Sequence, residues 1–138
     1  MVRNFGYAWV AFALSVAVHV TDEAMHDFLA FYNPMALWIR SRTFLPVPVF
    51  TFDVWLGGLI AGILLLLALA PLAFKGNRVL RFIAWPLAIL VGIGNAFGHI
   101  GSSIYYERWM AGVYSAPLLL AAGIWLLLAA GRPWQRHT

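Results

Sequence analysis

The residues best suited to chemistry lie on the first long apolar stretch of the chain. The pattern His19-x-x-Asp22-Glu23-x-x-His26 places two imidazoles and two carboxylates at positions i, i+3, i+4 and i+7. Side chains at these spacings share one face of a helix. Imidazoles and carboxylates are ordinary ligands of zinc, iron and manganese, and they also transfer protons in acid–base catalysis. The pattern therefore predicts a metal site or an acid–base pair.

A second polar stripe lies on a later apolar stretch. Asn95 and His99 are one helical turn apart, and Ser102 continues the stripe. At about 1.5 Å per residue, His99 and Glu23 lie about 26 and 27 Å from the starts of their spans. Ionisable groups inside a bilayer cost about 2.5–3.5 kcal/mol each. We therefore expect the two stripes to face each other or a wet cavity.

These residues allow a metal-assisted site, a metal-free acid–base site, or a network that only fixes helix packing. In the metal-free form, Glu23 or Asp22 is the general acid and a histidine is the base. The predicted catalytic residues are Glu23, Asp22, His19, His99 and Asn95. The predicted ligands of a zinc, iron or manganese ion are His19, Glu23, His26, His99 and Asp53. The predicted substrate-pocket residues are Tyr114, Trp55 and Ser102.

Named metal motifs fit this chain only in part. Glu23-x-x-His26 matches half of a carboxylate-bridged di-iron site, but the sequence has no second Glu-x-x-His. A di-iron site would require a homodimer, which the sequence leaves open. His19 and His99 could flank a haem iron, but the adjacent carboxylates and a depth difference of about 5 Å disfavour haem. The chain has no Cys, which excludes cysteine-ligated zinc and iron–sulfur clusters.

The composition places these polar residues in a membrane. Of the 138 residues, 63% are hydrophobic and 10% are charged, whereas soluble domains have about 45–50% and about 25%. The nine basic residues are scattered along the chain, which excludes a nucleic-acid-binding protein. We predict an integral membrane protein whose partners are the lipid bilayer and a hydrophobic small molecule.

Four apolar stretches are candidates for crossing the bilayer, which takes about 20 residues. We predict an all-α membrane protein, a single four-helix transmembrane domain over residues 1–138. Asn33 is the predicted N-cap of a short interfacial helix, at about 33–42, between the first two spans, and Pro34 is its first residue. The four predicted spans cover residues of about 5–27, 50–74, 82–104 and 110–130.

Small residues and prolines indicate how the spans pack. Gly58-x-x-x-Gly62 and Gly94-x-x-x-Gly98 have the spacing of close helix–helix contacts in membranes. Pro86 is expected near the end of a span, where proline is tolerated best.

The basic residues indicate the orientation of the spans. They are enriched at the N-terminus, the second connection and the C-terminus, which the positive-inside rule places in the cytoplasm. All five acidic residues and three of the four histidines then lie at the opposite end. We predict an N-in/C-in protein of the bacterial inner (plasma) membrane with its site facing the outer side. The basic residues in these segments are Arg3, Lys75, Arg78, Arg81, Arg132 and Arg136.

The order of the polar motifs resembles the HXXEE family of small bacterial membrane proteins. The matching segments are His19-Val-Thr-Asp22-Glu23, Asn95-Ala-Phe-Gly-His99 and Tyr114-Ser-Ala-Pro117. The resemblance covers about residues 10–120, with Asp22 where the family has Glu and Tyr-x-x-Pro where it has Tyr-x-Pro-Gly. The family has no assigned function, so the resemblance implies site residues and no reaction.

A one-sided polar pocket in an apolar bundle suits an enzyme that acts on a lipid, an isoprenoid or another hydrophobic molecule. The inner half of the predicted bundle has no ionisable residue, which disfavours transport. A metal would favour hydrolysis, and acid–base chemistry would favour isomerisation, epoxide opening or cyclisation. The alternative is a non-catalytic accessory subunit that holds a metal, a haem or a lipid for a membrane complex.

Overall fold

The fold consists of helices that pack around the first one. A computed structural model describes residues 2–131, and all regular structure in this range is helical. This confirms the predicted all-α class. The helical runs long and apolar enough to cross a membrane are Arg3–Met25, Phe52–Phe74 and Arg78–Tyr105. The elements are α1 (Val2–Met25), α2 (Phe28–Arg42), α3 (Phe52–Ala68), α4 (Ala70–Phe74), α5 (Arg78–Pro86), a π-helical segment (Leu87–Gly94), α6 (Asn95–Tyr105) and α7 (Ala116–Gly131).

The first helix is the centre of the core. Phe5, Trp9 and Phe12 are fully buried on α1, which contacts α3, α4 and α7. The indole Nε1 of Trp9 also donates a hydrogen bond of 2.7 Å to the carbonyl of Leu66. Buried aromatic side chains each remove about 150–250 Å² from contact with solvent or lipid. These residues therefore hold α1 in the fixed position from which its polar stripe is presented.

The fourth apolar stretch forms a shorter helix than the predicted span of residues 110–130. Residues 111–115 form turns, and α7 begins only at Ala116 and has 16 residues. The predicted start at Met110 is therefore wrong. The turns follow from Gly112, whose φ of 83° is incompatible with a right-handed helix. Arg132 and Arg136, which entered the orientation argument, lie outside the described residues.

The helix predicted at about residues 33–42 is longer than the sequence indicates, and its predicted cap is wrong. It begins at Phe28, so Asn33 and Pro34 lie inside it. The side chain of Asn33 instead donates to the carbonyl of Phe50 at 2.8 Å and accepts from its N–H at 3.1 Å. Both the N–H donor and the oxygen acceptor of the Asn33 amide are used in this contact, so the side chain is not available to cap a helix. It ties α2 to the extended segment that precedes α3.

A close contact between the π-helical segment and α7 involves glycines other than those of the predicted motifs. A Cβ atom on Gly92 would lie 2.9 Å from the Cα of Gly123, so only glycine allows the π-helical segment and α7 to approach this closely. At Gly58, Gly62 and Gly98 a Cβ would meet no atom within 4 Å. The expectation that these three pack against neighbouring helices is therefore not met within the described residues.

The third candidate span changes its helical geometry before it reaches the polar stripe. Pro86 lies inside the run Arg78–Tyr105 and not near its end, and the π-helical segment follows directly. Proline removes a backbone donor and interrupts the α-helical ladder. Ala88 and Gly92 of the π-helical segment are buried, as is His99 of α6. π-Helical turns are rare and frequently lie next to functional sites.

Candidate functional site

Three of the predicted site residues meet in the interior. His19, Glu23 and His99 are buried, and one ligand atom from each lies within 4.8 Å of the others, close enough to bind a metal ion. Glu23 Oε1 lies 3.5 Å from His19 Nε2 and 3.0 Å from His99 Nε2. Ligand atoms on one tetrahedral zinc lie about 3.4 Å apart, given bonds of about 2.1 Å. The spacing of the three side chains therefore suits a shared cation.

The proton positions on His19 follow from its partners. The hydroxyl of Ser115 donates to Asp22 Oδ2 at 2.7 Å, so its oxygen accepts from His19 Nδ1, which lies 2.8 Å away. The amide of Asn95 lies 3.2 Å from His19 Nε2 and donates to it. His19 therefore carries its hydrogen on Nδ1 and a lone pair on Nε2, which accepts from Asn95 and would bind a metal ion in place of that amide.

His99 is oriented in the same way by a different acceptor. Its Nδ1 donates to the carbonyl oxygen of Ala111 at 2.6 Å, because a carbonyl can only accept. The two imidazole rings stand at 73° with their centroids 4.7 Å apart. Histidines that bind metals usually donate the second ring N–H to a fixed acceptor. Both histidines have such an acceptor, and both direct Nε2 toward Glu23.

The sequence did not predict the segment that orients the histidines. Ser115 and the Ala111 carbonyl belong to the turns before α7, and Ser115 also donates its backbone N–H to Asp22 Oδ2 at 2.9 Å. Its only signal was its place beside Tyr114 in the motif Tyr114-Ser-Ala-Pro117. A lone hydroxyl in an apolar stretch follows no spacing rule that would connect it to α1.

His26 and Asp22 form a second pair at the edge of this centre. The Nδ1 of His26 lies 2.8 Å from the carbonyl of Asp22 and 2.9 Å from Asp22 Oδ1. The single N–H is directed at the carbonyl, so the nearby Oδ1 receives no directed hydrogen bond. His26 also stacks on Tyr114 at 4.9 Å. His26 and Tyr114 therefore lie outside the group of three. Asp22 is linked to His19 through the hydroxyl of Ser115.

The remaining predicted residues lie at different distances from the centre. Asp53 is exposed in the first turn of α3, where a carboxylate stabilises the helix N-terminus. Trp55 is buried and stacks on Phe28, whose ring centroid lies 5.6 Å from that of His99. Asp53 is therefore not brought to the group of three, and Trp55 is connected to that group through Phe28.

A cavity of about 390 Å³ between α2 and α6 reaches the centre. Ligand-binding cavities in proteins commonly measure about 300–1,000 Å³. Its polar wall includes His99, Asn95 and Ser102, as predicted for Ser102. The rest of the wall is mostly apolar and aromatic, so it suits a hydrophobic molecule. The main apolar and aromatic residues are Phe28, Phe31, Tyr32, Met35 and Met110.

We expect Ser115→Ala to weaken metal binding without removing a ligand. The change leaves the Nδ1–H of His19 without its acceptor, and such losses typically cost about 10–100-fold in metal affinity. Titration against a competing chelator measures the effect. Ser15→Ala is the matched control, because Ser15 is also buried and, among the described residues, its hydroxyl bonds only to the carbonyl of Ala11 in its own helix. Equal affinities in the two variants would contradict the role of Ser115.

Comparisons with known proteins leave the site to be interpreted from its own geometry. No family model matches the chain, and no curated protein or solved structure matches it. The features that bear on function are therefore the three facing side chains, the bonds that orient them and the cavity that reaches them.

Proposed function

We propose that this protein is a membrane-embedded enzyme that holds a divalent metal and acts on a lipid or other hydrophobic molecule. The metal ligands in this proposal are His19, Glu23 and His99. The observation that carries it is the orientation of the two histidines, each of which donates Nδ1–H to a fixed acceptor and turns Nε2 toward Glu23 Oε1. A network that only fixes helix packing does not require two imidazoles to converge on one carboxylate oxygen.

The ligand set favours zinc and hydrolysis. Two imidazoles and one glutamate are a ligand set of zinc hydrolases, which keep one position open for substrate or water. Zinc supplies Lewis acidity for the addition of water across an ester or amide bond. In such a reaction the acyl group takes the hydroxide, and the leaving alcohol or amine takes the proton. The side chains of Asn95 and Ser102 line the cavity and can orient the substrate.

The proposed setting is a four-helix bundle in the bacterial inner membrane, with N-in/C-in topology and the site toward the outer side. The distribution of Lys and Arg supports this orientation. In this arrangement α7 is the fourth span, and its length of about 24 Å is less than the typical hydrocarbon thickness of about 30 Å. A described helix of this length is matched by local thinning of the bilayer or by snorkelling of the flanking side chains. We also propose membership of the HXXEE family, on the motifs that begin at His19 and Asn95.

Elemental analysis of the protein purified in detergent tests the metal. We expect about one zinc per chain in the wild type, none in His99→Ala and an unchanged content in His26→Ala. His26 is the matched control because it is a histidine on the same side of the protein but outside the group of three. If no zinc, iron or manganese is retained even after reloading, the metal proposal is wrong.

A metal-free site is the second candidate. The distance of 3.0 Å between His99 Nε2 and Glu23 Oε1 is also that of a charge-assisted hydrogen bond. Such a pair can transfer a proton to and from a substrate in the cavity, as isomerisation or cyclisation requires. Turnover of a lipid pool that survives metal removal but is lost in Glu23→Gln would favour this candidate.

A further inference from the structure

A second, wider cleft adjoins the cavity at the site. It measures about 840 Å³ and lies between α2 and the loop that follows α6. Phe31, Met35, Met110 and Ala111 line both spaces. Methionine side chains adapt their shape readily, so this shared wall can accommodate a molecule that extends from one space into the other. The other residues of the cleft that matter here are Asp27, Trp38, Tyr105, Tyr106, Arg108 and Trp109.

The cleft carries two opposite charges that do not neutralise each other. The guanidinium of Arg108 lies over the ring of Tyr106 at 5.9 Å and donates from Nε to the sulfur of Met110 at 3.2 Å. In the described range 2–131, no carboxylate lies within 4.0 Å of it. Asp27 has no ion pair in the same range either. Within the described residues, the guanidinium of Arg108 and the carboxylate of Asp27 therefore line one cleft without an ion pair, together with the imidazole of His26.

The position of the cleft suits a headgroup. Its Trp and Tyr side chains are typical of the membrane–water interface. His99 lies six residues before Tyr105 on α6, about 9 Å deeper. A molecule with its charged group in the cleft would therefore place a bond about 9 Å away beside the centre, with its apolar part in the smaller cavity.

We propose that the cleft and the cavity together bind one zwitterionic amphiphile, with a phosphate against Arg108 and an ammonium group against Asp27. A guanidinium matches phosphate oxygens, and the surrounding aromatic rings attract an ammonium group. A purely anionic or cationic headgroup would leave one of the two charges without a counterpart. The assignment rests on the proposed function, since it names the substrate class of the same site.

Lipid retention during purification tests this assignment. The full-length protein is reconstituted with equal amounts of dioleoyl phosphatidylethanolamine, phosphatidylglycerol and a trimethylammonium lipid, which differ only in their headgroups. The protein is then extracted in a non-ionic detergent, and the lipids that co-purify are quantified by mass spectrometry. We expect the wild type to enrich the zwitterionic lipid by about fivefold, the size of effect expected for partly exposed charge contacts.

The variants separate the two charges. Asp27→Asn should shift the enrichment to phosphatidylglycerol, and Arg108→Gln should shift it to the trimethylammonium lipid. Asp53→Asn and Arg78→Gln remove the same charges away from the cleft and should retain the wild-type preference. The proposal is overturned if the wild type shows no headgroup preference. It is also overturned if the Asp27→Asn and Arg108→Gln variants keep the wild-type order of preference.

The zinc content of the same samples separates this inference from the proposed function. Zinc without headgroup selectivity would overturn the substrate class and leave the metal centre standing. Headgroup selectivity without zinc, iron or manganese would leave the cleft standing and remove the metal from the proposed function.

Discussion

Replacement of Glu23 by Gln is expected to abolish metal binding while the helices stay folded. Glu23 Oε1 is the atom toward which both His19 Nε2 and His99 Nε2 point. Gln keeps the shape of the side chain but removes the only carboxylate of the ligand group. We expect the affinity for zinc to fall by at least about 100-fold. Equilibrium dialysis measures the affinity, and circular dichroism in detergent monitors the helices.

Glu107→Gln is the matched control for this variant. Glu107 is exposed in the loop after α6 and lies outside the group of three. Its replacement removes the same charge and should leave zinc binding unchanged. Equal zinc affinity in the Glu23→Gln and Glu107→Gln variants would show that the carboxylate of Glu23 is not a ligand.

Gly112→Ala is expected to disrupt the same centre from the opposite side. A Cβ at this position would lie 2.6 Å from both Cε1 and Nδ1 of His99, so the ring would have to move. The φ of 83° also costs an alanine about 1–2 kcal/mol. We expect loss of zinc and a fall in Tm of about 5 °C, measured by elemental analysis and intrinsic fluorescence in detergent.

Gly58→Ala shows what the same substitution does in open space. A Cβ on Gly58 meets nothing within 4 Å, and Gly58 lies in the regular helix α3. Alanine stabilises a helix by about 0.5–1 kcal/mol relative to glycine, so this variant should melt no lower than the wild type and keep its zinc. If Gly112→Ala behaved like Gly58→Ala, the packing of His99 against the turn would have no role in holding the site.

The sequence was sufficient to predict the two polar stripes, because they follow helical spacing. His19 and Glu23 are one turn apart on α1, and Asn95 and His99 are one turn apart on α6. The high cost of buried ionisable groups then indicated that the stripes face each other. The same spacing also included His26, which lies in the turn just after α1 and bonds to Asp22. Periodicity alone does not distinguish the buried part of a stripe from its exposed end.

The parts of the site that the sequence did not predict lie outside regular helices. The turns at residues 111–115 interrupt an apolar run that has the composition of a helix, and they supply the Ala111 carbonyl and the Ser115 hydroxyl. A single glycine with positive φ determines this change. The cap predicted at Asn33 was wrong for a similar reason, since its amide bonds to Phe50, 17 residues away. Such contacts depend on the tertiary structure, and the local sequence pattern does not indicate them.

The π-helical segment sets the direction in which the later residues of its span point. Its hydrogen bonds run from i to i+5, so each residue of Leu87–Gly94 turns the helix by less than the roughly 100° of an α-helix. If the same residues wound as a regular α-helix, the added rotation would turn Asn95 and His99 away from His19, although hydropathy and every polar motif would be unchanged. The winding between Pro86 and Asn95 is therefore as necessary to the centre as the polar residues themselves.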